Sequence, residues 1–389
     1  MSNILFLDRQ QHAASDTAPP DDGTVAVVEL NNMVTPYTDR LFARLRQNGL
    51  GIAVLSCTIR EANRDWVLDA ERRYGHTVLP GVSFRVGPRR YAHWNGGIAT
   101  ALDRLRPKLL VLNGFYPSML LGWRWARRTG TPIALRIDGG ADDMPHSPYH
   151  RLARLAVLRD CRAVLTCGNR GTHYFAAQGV ARERIFAMPL VPAWDAPPSI
   201  PDFGDRAFDL LWVGELENKV KNASFFGAVA KALHRALPRL TLRIIGKGPA
   251  QHELLAELAS AGVAYRHEPS VDWRQMTEVM TSARLLLLPS AREPWGLVCN
   301  EAMQCGTPCL VSDHVGAADE LVIDERNGRV LPLDRGAWAE AARSLLLDSD
   351  RWTGFAQAAR ADVAPRSIDA AAGTYRMMVA AALGTECAA

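Results

Sequence analysis

Residues 284–308 run RLLLLPSAREPWGLVCNEAMQCGTP, and this order restricts the fold more than any other stretch of the chain. An apolar segment of strand length stops at Pro289 and Ser290, a turn containing Gly296 follows, and a short helix-favouring segment opens behind it. Strand, glycine turn and helix make the unit of αβ sheets, which hold ligands beyond the carboxyl ends of their strands. Free N–H groups at the start of such a helix favour an anion. The two carboxylates of the run, Glu293 and Glu301, can accept hydrogen bonds from hydroxyls. A sugar attached to a diphosphate needs both at once. A plainer account also fits, with Glu293 a loop carboxylate and Glu301 a first-turn residue favoured by the helix dipole. The residues alone leave both open.

The same alternation runs through the chain. In the first half, strands are expected over 24–30, 51–57, 108–114, 132–138 and 163–168, with helices over 38–49, 95–106, 118–129 and 148–158 and a candidate edge strand over 3–8. In the second half, strands are expected over 209–213, 240–245, 263–266, 284–288 and 309–313. Helices are expected over 221–236, 251–262, 272–282, 297–304, 316–321, 335–347, 351–361 and 368–383. This spacing makes doubly wound parallel sheets covered on both faces. A chain of 389 residues exceeds one ordinary core. Residues 189–204, PLVPAWDAPPSIPDFG, carry five prolines and cannot continue a helix or a central strand. The expected organisation is a first Rossmann-like domain over 1–195, a linker over 196–204, a second Rossmann-like domain over 205–365 and a final helical segment over 366–389.

The formal charge of +4 is small, and no long basic tract argues for nucleic acid. The seven cysteines form no CxxC pair and no Cys/His ligand cluster, which points to a reducing compartment. The N-terminal MSNILFLDRQ lacks a basic region ahead of a long apolar stretch, so no signal peptide is expected, and no apolar window is long enough to cross a bilayer. A cytoplasmic protein is the expectation.

The string Glu293, Gly296, Leu297, Glu301, Ala302, Met303, Cys305, Gly306, Thr307, Pro308 resembles the donor-site signature of the retaining GT-B glycosyltransferases of the family 4 type, the glycosyltransferases group 1. Asp313, Gly316, Glu320, Asn327 and Gly328 hold their usual places downstream, and LTLRIIGKGP at 240–249 and DLLWVGELENKVKN at 209–222 resemble the preceding elements. The resemblance covers 209–335 well. It implies an α/β GT-B fold, two Rossmann-like domains facing across a cleft, with the last helix crossing back to the first domain. It further implies transfer of a sugar from a UDP- or GDP-sugar to a hydroxyl, with retained configuration and no tightly bound cofactor or metal.

By that resemblance, Glu293 accepts a hydrogen bond from a sugar hydroxyl, the N–H groups of Gly296, Leu297 and Val298 lie near sugar and phosphate, and Glu301 takes the ribose hydroxyls. Lys221 is implied as the cation that meets the leaving diphosphate. Lys247 and Gly248 belong to the turn beside the base. The family's preceding Arg is replaced by Glu215, with Lys219 and Lys247 as substitutes nearby. No metal site is expected; the Asp142–Asp143 pair falls in the wrong domain for donor phosphates. Trp295 fits a sugar pocket or a core.

The acceptor is expected in the first domain, near NNMVTPY at 31–37, GFYP at 114–117 and RIDGG at 136–140. Asp138 falls where many relatives carry a His and is a candidate to orient the acceptor hydroxyl or draw off its proton; a turn cap is its structural alternative. His93 is a weaker acceptor candidate. The arginines at 85, 89, 90, 104, 106, 124, 127 and 128, with Lys108, leave contact with an anionic membrane at its inner face as an alternative to a soluble saccharide or small-molecule acceptor. Two other functional classes remain: a weakened GT-B protein that only binds a sugar nucleotide or a partner, favoured by Glu215, and a GT-B nucleotide-sugar epimerase.

Overall fold

A computed structural model describes residues 7–8, 25–61, 68, 72–87, 90–138 and 147–385. The chain divides into two units, Met1–Pro189 with Ile368–Ala389, and Leu190–Ser367.

The first unit runs β1 (Leu7–Asp8), β2 (Val27–Asn31), α1 (Pro36–Gln47), β3 (Ile52–Ser56), β4 (Gly75–Val78), β5 (Val82–Gly87), β6 (Arg90–Trp94), α2 (Ile98–Leu105), β7 (Leu109–Leu112), α3 (Pro117–Thr129), β8 (Ile133–Ile137), α4 (Pro148–Asp160), β9 (Cys161–Thr166), α5 (Gly168–Ala177) and β10 (Ile185–Ala187). Seven strands make a parallel sheet in the order β10-β9-β8-β7-β2-β3-β4. The central strands β2, β3, β7 and β8, with sequences such as LLVL in β7 and IALRI in β8, are buried along their length, as a sheet covered on both faces requires. Local chemistry sets the helix ends. Thr35 and Thr38 cap α1 reciprocally ahead of Pro36, and Gly130 stops α3 in the left-handed conformation.

The hairpin β5–β6 leaves this sheet and pairs antiparallel with β1, which is the part of the expected edge strand that lies within the described residues. The strand β4, this hairpin, α5 and β10 have no counterpart in the sequence expectation. They are short or bounded by few turn signals.

The second unit runs β11 (Phe208–Val213), α6 (Ala223–Ala236), β12 (Thr241–Ile245), α7 (Gln251–Ser260), β13 (Ala264–Glu268), α8 (Met276–Thr281), β14 (Ala283–Leu288), α9 (Leu297–Gln304), β15 (Cys309–Ser312), β16 (Gly328–Leu331), α10 (Arg335–Leu347) and α11 (Ser349–Val363). Its six strands are all parallel, in the order β13-β12-β11-β14-β15-β16. One core gathers Trp212, Phe226, Trp338 and Trp352 with the leucines of β11, β12 and β14. The proline-rich stretch is part of this unit: Asn300 donates to the Leu190 carbonyl at 3.0 Å, and Arg360 donates to the carbonyls of Pro197 and Pro198.

The helix expected over 316–321 does not form. Gly316 N–H and Ala317 N–H donate to the carbonyls of Glu293 (2.9 Å) and Trp295 (2.9 Å), and Asp319 sits at φ 62°, so the segment folds as turns that hold the 293–295 loop. A longer helix was also expected over 272–282, where a 3-10 turn, Trp273–Gln275, precedes α8.

The chain ends in α12 (Ile368–Leu383), which packs on α1, β8 and β9 within the first unit.

Candidate functional site

In each sheet the chain leaves a central strand first to one side and later to the other. That switch falls between β11 and β14 in the second unit and between β2 and β7 in the first. Crevices at such points, beyond the carboxyl ends of the strands, are where open αβ sheets bind ligands.

Two loops meet at the crevice of the second unit, 214–222 after β11 and 289–296 after β14. Lys221 Nζ donates to Glu293 Oε2 across them, and the Ala291 N–H donates to the Val220 carbonyl at 2.8 Å, so backbone and side chains both fix the join. The pair is partly open, with side-chain exposures of 23% for Lys221 and 14% for Glu293. Ser290 Oγ supports the same Glu293 oxygen at 3.4 Å.

Glu217 shapes the first loop. Its buried carboxylate accepts the N–H groups of Lys219 (2.9 Å), Val220 (2.9 Å) and Lys221 (2.6 Å), curling the loop around itself. Sequence reasoning passed over it; the only signal was an acid set just ahead of a lysine-rich turn. Lys219 is exposed on the outside of that curl. Lys247 is exposed and Gly248 half-buried in the neighbouring turn, whose backbone is bonded to the first loop: Leu216 N–H donates to the Lys247 carbonyl at 3.0 Å. A Cβ on Gly246 would stand 1.9 Å from the Gly214 carbonyl oxygen, at a φ of +141°. Only glycine permits that approach.

The helix α9 begins at the same crevice. Gly296 is its N-cap, at φ 94°, and no side chain caps the helix. The N–H groups of Leu297 and Val298 therefore carry no bond among the described residues, which is the arrangement that favours an anion. Glu301 is half-buried one turn on, and its carboxyl has no hydrogen bond or ion pair among the described residues. Desolvation pushes it up to about 8. Such a carboxyl gains from any hydroxyl that donates to it.

The choice left open for Trp295 resolves toward the core. It is buried, donates from Nε1 to Asn300 Oδ1 at 2.8 Å and lies under the Arg366 guanidinium. Met303 and Cys305 are also buried, behind the helix, and Glu215 is half-buried.

The crevice of the first unit is built from different chemistry. Asn31 and Asn32 follow β2, and Asn31 Nδ2 and Asn32 Oδ1 are buried without a hydrogen-bond partner. Asn113, after β7, donates to the Arg136 carbonyl at 3.2 Å. Asp138, after β8, is half-buried and accepts from Arg136 Nη1 at 3.4 Å.

Beneath them the charges are consumed internally. Arg136 Nε donates to Glu29 Oε1 at 2.5 Å, and Tyr375 Oη, from α12, donates to Glu29 Oε2 at 2.6 Å. Burial alone would lower the Arg136 pKa, but Glu29 and Asp138 outweigh it and raise it. Burial, with Glu29 beside it, raises Tyr375 well above its usual value. No local pattern signals this trio, because its other two members are 107 and 346 residues from Glu29.

His93 is buried, bonded from Nδ1 to Ser83 Oγ at 2.9 Å and from Nε2 to Glu61 at 3.4 Å; these contacts leave it no surface to offer an acceptor. On α3, Arg127 lies 3.4 Å from Asp160, Arg128 lies 3.7 Å from Asp103, and Trp125 is buried. Asp142–Asp143, Gly139–Gly140 and Arg89 lie outside the described residues. Among the described residues no group of three His, Cys, Asp or Glu could hold a metal ion, and no helix is long and apolar enough to cross a membrane.

Residues 207–348 match the family described as glycosyl transferases group 1, and residues 34–190 match the glycosyl transferase 4-like domain. The chain is 36% identical over 155 residues to glycogen synthase of Mycobacterium tuberculosis, a stretch covering 39% of this chain and 37% of that protein. It is 36% identical over 119 residues to D-inositol 3-phosphate glycosyltransferase of Xylanimonas cellulosilytica, covering 30% and 28% respectively. These matches thus span about a third of the curated relatives' own length. In fold, the chain is similar to the structure of HepE from Anabaena in complex with UDP and glucose, with a TM-score of 0.67, 15% identity, and coverage of 88% of this chain and 95% of that one.

Proposed function

We propose that this chain, which belongs to the GT-B glycosyltransferases through its two family domains and its fold, moves a sugar from a nucleotide-diphosphate sugar to an acceptor hydroxyl with retained configuration. The observation that carries this most directly is the Lys221–Glu293 pair at the switch point, in front of the uncapped start of α9. A cation, a carboxylate and unbonded N–H groups within one crevice match the needs of a glycosyl diphosphate.

In this proposal the N–H groups of Gly296, Leu297 and Val298 receive phosphate and sugar oxygens, and Glu301 accepts the ribose hydroxyls. Glu293 exchanges part of its contact with Lys221 for a sugar hydroxyl. As the glycosidic bond breaks, charge grows on the diphosphate, and Lys221, aimed at it, stabilises that charge more than the ground state. Lys219 and Lys247 add positive potential where Glu215 replaces an arginine. Gly248 keeps the neighbouring turn close enough for the base. The departing phosphate itself takes the acceptor proton, so neither Glu293 nor Glu301 acts as nucleophile.

The first unit supplies the acceptor site. The unpartnered Asn31 and Asn32 amide atoms and Asp138 suit a neutral polyhydroxyl, a saccharide or a small polyol, since the cation that meets Asp138, Arg136, is buried and already paired. The HepE structure, similar in fold, holds UDP, which favours a UDP-sugar as the donor to try first. Peripheral contact with an anionic membrane through α3 would rest on Arg124, because Arg127 and Arg128 already face acids.

The test is a donor screen by ligand-induced melting shift, followed by anomer-resolved product analysis. A ligand bound only by the native state raises apparent stability. UDP-sugars should shift the midpoint most, and the product should keep the donor's anomeric configuration. An inverted product, or binding of no sugar nucleotide, overturns the proposal.

A further inference from the structure

At the amino ends of β11, β12 and β14, the opposite end of the sheet from Lys221 and Glu293, the second unit has an open cavity of about 620 Å³. Its polar lining includes Arg206, Arg239, Arg284 and Asp209, and its apolar lining includes Leu240 and Leu346. The volume lies within the range that holds small ligands.

The charges there do not balance. Asp209 is committed to Arg284, whose Nη1 donates to it at 2.7 Å, and to Thr241, whose N–H donates to it at 2.8 Å. Arg206 is 1% exposed, and its hydrogen bonds go to neutral oxygens: the carbonyls of Ala283, Cys305 and Gly306, and Thr307 Oγ1. Its Nε is buried without a partner. No carboxylate is bonded to Arg206 among the described residues. Burial, with Arg284 alongside, lowers its pKa to about 10. Arg239 is exposed at the rim and carries no bond, and Arg284 Nη2 carries none either, among the described residues. Three guanidinium charges against one carboxylate leave two positive charges around one cavity.

We infer that this cavity binds a phosphorylated small molecule, the phosphate held by Arg239 and Arg284 and the body of the ligand packed against Leu240 and Leu346. A phosphomonoester carries close to two negative charges near neutral pH, which matches the surplus, and guanidinium groups are well suited to phosphate oxygens. Arg206, buried in the lining, adds a charge bonded to no carboxylate among the described residues, which an anion in the cavity offsets. The site stands apart from the crevice that takes the sugar nucleotide.

Calorimetry on the full chain at physiological ionic strength tests this with glucose 6-phosphate, inorganic phosphate, glucose and UDP titrated separately. Glucose 6-phosphate should bind saturably, more tightly than inorganic phosphate, and glucose should not bind. Arg239→Ala, at an exposed residue with no structural bond, should weaken the ester by at least about tenfold, the loss of one charge-assisted contact, while UDP affinity stays unchanged. Four results overturn the inference: no saturable binding of the ester at millimolar concentration, equal binding of inorganic phosphate, unchanged ester affinity in Arg239→Ala, or one-for-one displacement of the ester by UDP. Since UDP is measured independently, failure of the donor site and failure of this one are distinguished.

Discussion

The two parallel sheets change direction in the same manner, yet the crevices at their switch points are furnished in opposite ways. In the second unit the ion pair, Lys221 with Glu293, stands at the crevice and remains partly open to solvent. In the first unit the ion pair, Arg136 with Glu29, is sunk under the crevice at 2% and 0% exposure, beneath the unpartnered amide atoms of Asn31 and Asn32 and the half-buried Asp138. A buried pair is held by many partners and serves the fold, whereas a partly open pair can exchange partners with a ligand. Shared architecture therefore does not imply shared chemistry. In the proposed reading, the second unit keeps its charge available for a diphosphate, and the first offers amide groups to hydroxyls.

The widest gap between the crevices should appear in stability. Arg136→Leu leaves Glu29 buried with Tyr375 as its remaining partner and should cost about 3–5 kcal/mol. Lys221→Ala should cost less than about 1 kcal/mol, because its pair is partly solvated. Urea unfolding of both variants measures this, and equal losses would erase the distinction.

Lys221→Ala should instead show its effect in turnover. Loss of a group aimed at developing charge lowers kcat by about two orders of magnitude, near 3 kcal/mol, with a smaller loss in donor affinity. Steady-state kinetics beside calorimetry separates the two; equal losses in rate and affinity would reduce Lys221 to uniform attraction.

Glu301→Gln keeps a neutral acceptor, so it should weaken UDP binding mainly above about pH 8, where the carboxylate is ionised, by about 1 kcal/mol, the excess of a charge-assisted hydrogen bond over a neutral one. Its pH dependence follows from desolvation. With the carboxyl raised from 4.5 to about 8, the folded state holds a proton that the unfolded state has lost, so stability contributed at acid pH is lost as pH rises through that window. The Gln variant should therefore gain on the natural protein in unfolding free energy as pH climbs from 5 to about 8, and stop gaining above it. Parallel unfolding curves at every pH would refute this.

The smallest effect should fall on Asn31→Ala. Its Nδ2 makes no bond, so stability should change by less than about 1 kcal/mol, while the acceptor KM rises and donor affinity holds. Unaltered acceptor kinetics would remove the amides from the acceptor site.

Much of the fold is written in local pattern. Strands such as LLVL and RLLLLP and the helix that follows Asp334 announce themselves, because burial period acts over a few residues, whereas the Thr35–Pro36 start of α1 falls in a segment read as a loop. The 316–321 segment resisted the same treatment: the N–H groups of Gly316 and Ala317 bond to a loop more than twenty residues earlier in the chain, and no local window contains that partner. The run from Glu293 to Pro308 marked the strand, turn and helix of one crevice. It carried no information about Glu217, whose importance lies in three backbone N–H groups that only a curled loop presents.

The sequence by itself determined two alternating αβ regions and the segment on which the carboxylates Glu293 and Glu301 stand, since strand and helix periods and glycine turns are set by near neighbours. Tertiary structure alone decided which charges remain usable. Pairing Arg136 with Glu29 and Tyr375, or leaving Arg206 without an acid, depends on strands and helices remote in the chain meeting in low-dielectric surroundings, where the fate of each charge is fixed by its partners.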